Sequence, residues 1–382
     1  MKLHLLEGTR AEGYTTFGCM WRQGECTKET EYLCRRQAAD GTGREEIPLQ
    51  SRITAYWPDG SVKWTAHTAD AARLGQDIEV LPGKPGSVGG MECVETEEEI
   101  LLRAGAVTVT VRKDGRHLFE SAAKDGRNYL RDAEPVLILE EPVMLQGNPA
   151  KVEKSYISHI TKVAVEETGN LRTVIRYDGI HRSSLQEERF PFIIRMEVGY
   201  DSAVIKFTHT FLYDGDEDKD FLKGMGIRFL SPMAGELYNR HVKFPGDYGV
   251  FHEALVPLTA WRPKMPIALY QRQMAGEKML LSGEARQMAD KVLKDAPAWS
   301  EYALYQDSAS HFGIKKKQKG ENLCYIESLH GQRAAGAAAF GSEHGSVKAA
   351  VRDFWEKYPS GITCRGLDGE NAECTLCPVF LS

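Results

Sequence analysis

Nothing in this 382-residue sequence is apolar for long enough to cross a membrane as a helix. The opening residues, Met1-Lys2-Leu3-His4-Leu5-Leu6-Glu7-Gly8, lack the apolar core that a secretory leader needs. A cytoplasmic chain with no membrane partner is therefore expected. Concentrated positive charge is also missing: the formal net charge is −6, and the one basic run is Lys315-Lys316-Lys317-Gln318-Lys319. That run is read as a solvated loop tip, and nucleic acid is not an expected partner.

Paired metal-binding knuckles are absent. The eight cysteines, Cys19, Cys26, Cys34, Cys93, Cys324, Cys364, Cys374 and Cys377, include one C-x-x-C, at 374–377, with no second pair to complete a zinc site. Free thiols are expected. The acidic run Asp214-Gly215-Asp216-Glu217-Asp218 lacks the ligand order of a calcium loop and is read as a hairpin corner. No metal and no cofactor is expected. Also missing are G-x-G-x-x-G after a strand, G-x-x-x-x-G-K-[ST], G-x-S-x-G and H-E-x-x-H, which removes support for nucleotide, lipase-like and zinc-protease chemistry.

What the sequence does contain is short alternating segments bounded by turn residues: 51–56, 62–67, 107–112, 136–139, 173–176 and 193–198. The absence of regular intervening helices argues against βαβ units and for barrels or sandwiches. The stretch 81–90, rich in Pro and Gly, divides a barrel-sized piece, 1–90, from a much larger one, 91–382. The predicted fold class is all-β: a small N-terminal β-barrel, then a large antiparallel β-sandwich with minor helical insertions. One helix is predicted over 284–293, with Pro297 beyond its end. Val347, Ala350, Val351, Phe354, Trp355 and Tyr358 follow a helical spacing, so a strand to about Arg352 and then a helical turn before Pro359 is expected.

The most telling run is Tyr56-Trp57-Pro58-Asp59-Gly60-Ser61-Val62-Lys63-Trp64, two aromatic half-strands joined at a corner. Pro58 pre-sets φ, Asp59 can bond its own backbone, and Gly60 accepts positive φ. Together with Leu49-Gln50-Ser51, Gly179-Ile180-His181-Arg182, His209-Thr210-Phe211, Leu237-Tyr238-Asn239-Arg240-His241-Val242-Lys243-Phe244 and Arg352-Asp353-Phe354-Trp355, in that order, it resembles a known family. These are the exo-rhamnogalacturonan lyase-like proteins of polysaccharide lyase family 26, the YetA-like proteins among them. The resemblance implies a β-barrel followed by a β-sandwich. It also implies β-elimination beside galacturonate in pectin-derived oligosaccharides of galacturonate and rhamnose.

A uronate lyase must neutralise a carboxylate, remove the proton beside it, and protonate the leaving oxygen. The segment 238–244 is the densest polar constellation, and strand alternation places Asn239, His241 and Lys243 on one face with Arg240 opposite. On the residues alone this is either a solvated strand face or a site, and only the resemblance favours the site. On that reading Asn239 or Arg240 neutralises the carboxylate, Lys243 is the base, and His241 or His181 is the acid. Arg182 and Arg352 anchor substrate, Tyr238 joins them, and Trp355 is a stacking platform. His181 and Arg182 are expected where a strand leaves a turn, which reads equally well as an exposed pair. His209, alternating with Phe207 and Phe211, is read as a satisfied core histidine. The other tryptophans, Trp261 among them, are read as buried aromatics. Hydrolysis would need two carboxylates at a fixed separation, and no such pair can be singled out.

The resemblance further implies an α/α toroid after the sandwich, which 373–382 does not match. Two alternatives follow: a non-catalytic carbohydrate-binding or structural remnant, and a toroid domain supplied by another chain.

Overall fold

The computed structural model describes residues 1–6, 13–37, 43–86, 90–258, 265–295, 298–320 and 323–376. Trp261, Pro297 and Cys377, with 87–89 of the interdomain stretch, lie outside the described residues. The described chain is mostly β, with two α-helices.

Two small sheets form the first unit. Lys2–His4, Asp77–Pro82, Tyr32–Gln37 and Arg44–Ile47 make one, in that order, and Tyr14–Met20, Val62–Asp70 and Gln50–Tyr56 the other. They close on a core of Cys19, Trp21, Tyr32, Cys34, Val62 and Val80. The corner is built as its residues dictate: Gly60 has φ +83°, its N–H donates to Trp57 O at 2.9 Å, and Ser61 N–H donates to Asp59 Oδ1 at 3.0 Å. Lys63 lies over the Trp57 ring at 4.5 Å.

The larger unit contains one sheet of fifteen strands and a separate four-stranded sheet, Gly249–Ala254, His241–Gly246, Ala337–Ser342 and Gly345–Ala350. Its organiser is the strand Arg127–Leu145. One edge is shared by Phe119–Lys124 and Asn148–Glu167, and the other pairs with Phe221–Pro232. The register breaks between Arg131 and Glu134, where Asp132 has φ +50°, so a bulge bends the strand where its neighbours change. Alternation in Glu188–Gly199 sends Phe192, Ile194, Met196 and Val198 into one core with Ile100, Val109, Phe244, Leu304 and Ile362.

Two sequence expectations are corrected here. The run at 214–218 is not a hairpin corner, because Ile205–Phe211 lies at the sheet edge whereas Phe221–Pro232 lies beside Arg127–Leu145. The connection crosses the sheet, held by Asp214 Oδ1 accepting from Phe190 N–H and Asp220 Oδ2 accepting from Asp216 N–H, both at 2.9 Å. The basic run is not a loop tip but part of the strand His311–Gln318. Its ammonium groups lie over aromatic rings, Lys315 Nζ over Tyr305 at 4.7 Å and Lys316 Nζ over Trp299 at 4.1 Å, so the charges are held against ring faces. Near 347–358 the expected order is present: the strand Gly345–Ala350 and then a turn in which Lys357 N–H donates to Asp353 O, with Phe354 fully buried.

The expected helix is present as Gly283–Asp295, and a second, Ile267–Met274, precedes it. Tyr238, Val256, Leu258, Met265 and Met279 join Ala289 in a satellite core beneath them. No helix among the described residues is long and apolar enough to cross a membrane.

Barrel and sandwich meet through polar side chains. Gln50 Oε1 accepts from the N–H groups of Leu171 and Arg172 at 3.0 and 2.8 Å, and its Nε2 donates to Arg172 O and Glu167 Oε1 at 2.9 Å each. Arg172, itself buried, bridges Glu167 at 2.5 Å and the barrel's Thr16 at 3.0 Å.

Candidate active site

The 238–244 segment does not run as one strand. Leu237–Asn239 is a turn of 3₁₀ helix and the strand begins at His241. Asn239 therefore leaves the face it was expected to share. It is buried, with Nδ2 donating to Met279 O at 3.2 Å and Glu343 Oε1 at 2.8 Å, and Oδ1 accepting from Met279 N–H at 2.8 Å. This pins the helical insertion to the sheet. Tyr238 is buried in the satellite core, its hydroxyl 3.3 Å from Arg286. Arg240 is also buried: Nη1 donates to the carbonyls of Leu367 and Gly369 at 2.8 and 2.6 Å, and Nη2 to Gly235 O at 3.2 Å. Its guanidinium gathers three loop carbonyls, which is a fastening role.

From His241 onward the alternation holds. Val242 and Phe244 enter the core, while half-buried His241 and exposed Lys243 face outward. The neighbouring strand places Gly341 opposite His241 and Ala339 opposite Lys243, so the ground beside them is low. On the other side the hairpin pairs Lys243 with His252, and His241 Nδ1 lies 2.9 Å from His252 Nε2. His252 was not among the expected residues. The Gly246-Asp247-Tyr248-Gly249 turn carried the signal, because folding the chain about it pairs 243 with 252.

Burial, followed by the proximity of His252 and Lys243, pushes His241 down to about 4. Burial and Lys243 lower His252 as well. Both rings are thus neutral near pH 7, so their contact is one N–H donating to one lone pair. When His241 Nδ1–H is the donor, His241 Nε2 keeps its lone pair and is a base. A neutral imidazole with so low a pKa is a poor acid at that pH.

The other expected residues stand apart. His181 and Arg182 end the strand Arg172–Ser183 and precede the turn rather than follow it. Arg182 is tied to Glu188 at 2.5 Å. His181 is fully buried, its Nδ1 3.0 Å from Phe190 O, its Nε2 without a partner, and its ring against Phe192. Burial lowers its pKa. His209 packs with Phe211, as expected, and with Phe192, but its Nε2 is unpartnered, so it is not satisfied. Arg352 is exposed and lies 3.6 Å from Asp353, while the Trp355 ring is covered by Arg333 at 4.1 Å. Of the nine residues, only His241 and Lys243 share an accessible outward face. No group of three or more His, Cys, Asp or Glu able to hold a metal occurs among the described residues.

Comparison with known proteins places this geometry. Residues 91–377 match the PcRGLX-like protein central beta sandwich domain, and residues 1–80 the PcRGLX-like N-terminal RIFT barrel domain. The chain belongs to the PcRGLX-like family. Within that family's barrel-and-sandwich arrangement, the His241–His252 pair lies on the four-stranded sheet of the sandwich. The chain is also 30% identical over 364 residues to the "Uncharacterized protein YetA" of Bacillus subtilis (strain 168). That match covers 94% of this chain and 42% of the relative, so the chain spans less than half the length of the curated protein it matches.

Proposed function

We propose that this PcRGLX-like protein acts on oligosaccharides of galacturonate and rhamnose by β-elimination, with the His241–His252–Lys243 cluster as its reacting groups. The observation carrying this reading is the pair of neutral imidazoles beside an exposed ammonium, on a face kept low by Ala339 and Gly341. The Lys243 ammonium pairs with the galacturonate carboxylate and stabilises charge as the neighbouring C–H is broken. His241 Nε2 takes that proton. The electron pair left behind forms a C=C bond conjugated with the carboxylate, the C–O bond to the neighbouring sugar breaks, and the departing oxygen takes a proton from water or the protonated base. Lys243 changes role from the expected base to carboxylate partner, and His241 from acid to base. Asn239 and Arg240 serve by fixing the 3₁₀ turn that launches the strand.

The test is ultraviolet absorbance during incubation with rhamnogalacturonan oligosaccharides, because elimination creates a conjugated unsaturated uronate and hydrolysis does not. The chain is expected to give a steady rise, and H241A and K243A each a fall of about a hundredfold or more while folded. Near-normal turnover in either variant removes that residue from the mechanism. A second reading, a carbohydrate-binding protein without elimination, is favoured by the engagement of Tyr238, Asn239 and Arg240 in protein contacts. It predicts a flat trace alongside retained sugar affinity.

A further inference from the structure

A groove of about 340 Å³ opens on the barrel, far in sequence from the His241 cluster. Leu49, Ile53 and Pro85 give it apolar ground, Ser51 brings a hydroxyl, and Lys28 and Arg52 bring two cations.

Behind Ser51 runs a hydrogen-bond chain. Trp21 Nε1–H donates to Thr65 Oγ1 at 2.8 Å, and an indole N–H can only donate. Thr65 Oγ1 lies 2.7 Å from His67 Nε2, and His67 Nδ1 lies 2.8 Å from Ser51 Oγ. Burial pushes His67 down to about 4, so the imidazole is neutral at ordinary pH, one ring nitrogen donating and the other accepting. The chain fixes the Ser51 hydroxyl in the lining of the groove.

Tyr32 contributes to the lining, but its hydroxyl is buried beside Cys26. Lys28 and Arg52, with the Ser51 hydroxyl, give the groove its polar side. The opposing group is the Glu31 carboxylate, which suits a ligand bearing hydroxyls beside its acid.

We infer that this barrel groove is a second, non-catalytic binding site for a sugar acid. The acid group lies against Lys28, Arg52 and Ser51, a ring hydroxyl donates to Glu31, and the C–H face of the ring rests on Leu49 and Ile53. The preference for an anion stands on the donors alone, whereas the choice of a uronate rests on the proposed elimination substrate. Arg52 also reaches Glu167 of the sandwich at 3.1 Å, so the groove borders the contact between the two units.

Calorimetric titration of the whole chain with galacturonic acid and with galactose tests this. Galacturonic acid is expected to bind at least about tenfold more tightly than galactose, and S51A, R52A and K28A each to weaken it about five- to tenfold, the scale of one lost hydrogen bond to a charged group. Equal affinity for galactose, no saturable binding by the parent chain, or binding unmoved in all three folded variants but lost in K243A would each overturn the inference. Absorbance measured on the same samples keeps the two proposals apart. Groove binding in a chain that performs no elimination supports the site and removes the reaction. Elimination without groove binding does the reverse.

Discussion

Replacing Gln50 by Ala should uncouple the barrel from the sandwich. The side chain makes four hydrogen bonds of 2.8–3.0 Å across the contact, two of them with backbone N–H groups of the buried residues Leu171 and Arg172. Each bond is worth a net ~1 kcal/mol, and a buried donor left alone costs more than the bond was worth. Water entry at the half-buried end returns part of this, leaving an expected loss of about 3 kcal/mol. The assay is equilibrium urea unfolding followed by tryptophan fluorescence, in which Trp21, Trp57 and Trp64 give the barrel half of the six emitters, and by circular dichroism, which weights the larger unit. In the parent chain the two signals should change together. In Q50A the fluorescence transition should move to lower urea and separate. Gln50→Glu sharpens the test: it keeps the acceptor for both N–H groups but loses the donor and sets a carboxylate beside Glu167, so its defect should ease as pH falls. A loss in Q50A below about 1 kcal/mol, with coincident transitions, would refute the reasoning.

Three further outcomes are expected. His67, fully buried and held near 4 against an ordinary 6.5, takes up a proton less readily folded than unfolded. Stability should therefore be level above pH 6.5 and fall as pH drops towards 4, by about 3 kcal/mol from this group. Urea midpoints against pH in the parent and H67Q would check it, an unchanged slope in the variant counting against His67. Gly199 faces the Tyr14 ring so closely that an added methyl would overlap it. Gly199→Ala should cost about 1–3 kcal/mol in thermal unfolding, and Tyr14→Ala should relieve much of that in the double variant; simple additivity would contradict the clash. For the proposed elimination, the acid-side limb of kcat/KM should lie near pH 4, where His241 takes a proton, and a limb at pH 6–7 would dismiss His241 as the base.

The all-β reading was legible because alternation survives wherever one strand face is buried, as in Glu188–Gly199. Strand lengths were not: 136–139 became part of Arg127–Leu145, because both ends of that strand, Arg127 and Asn128 at one and Met144 and Leu145 at the other, are exposed and pair with neighbours rather than alternate into the core. The 3₁₀ turn at Leu237–Asn239 was hidden because nothing in Tyr238 or Asn239 forbids a strand; the decisive partners, Met279 and Glu343, are 40 and 104 residues away. The basic run misled for a similar reason, since only the fold reveals Tyr305 and Trp299 beneath its ammonium groups. His241 and Lys243 could be read as one face from spacing, but His252 required the hairpin register.

The place of the strand Asn371–Leu376 bears on how this protein is made. It lies between Phe221–Pro232 and Ser360–Arg365, joining the half of the large sheet that grows from Arg127–Leu145 to the half that runs out to Ile326–Gly331. As the chain leaves the ribosome, the barrel can close once residue 82 has emerged, and the strands up to Phe221–Pro232 can pair in turn. The sheet stays in two pieces until the last of these residues arrives, with the hydrogen-bonding edge of Phe221–Pro232 open for roughly 140 residues of synthesis, about 7–30 s at ordinary translation rates. An open strand edge held that long is a template for the wrong partner. Synthesis rate and chaperone supply should therefore limit the yield of native protein more than the stability of the finished fold does.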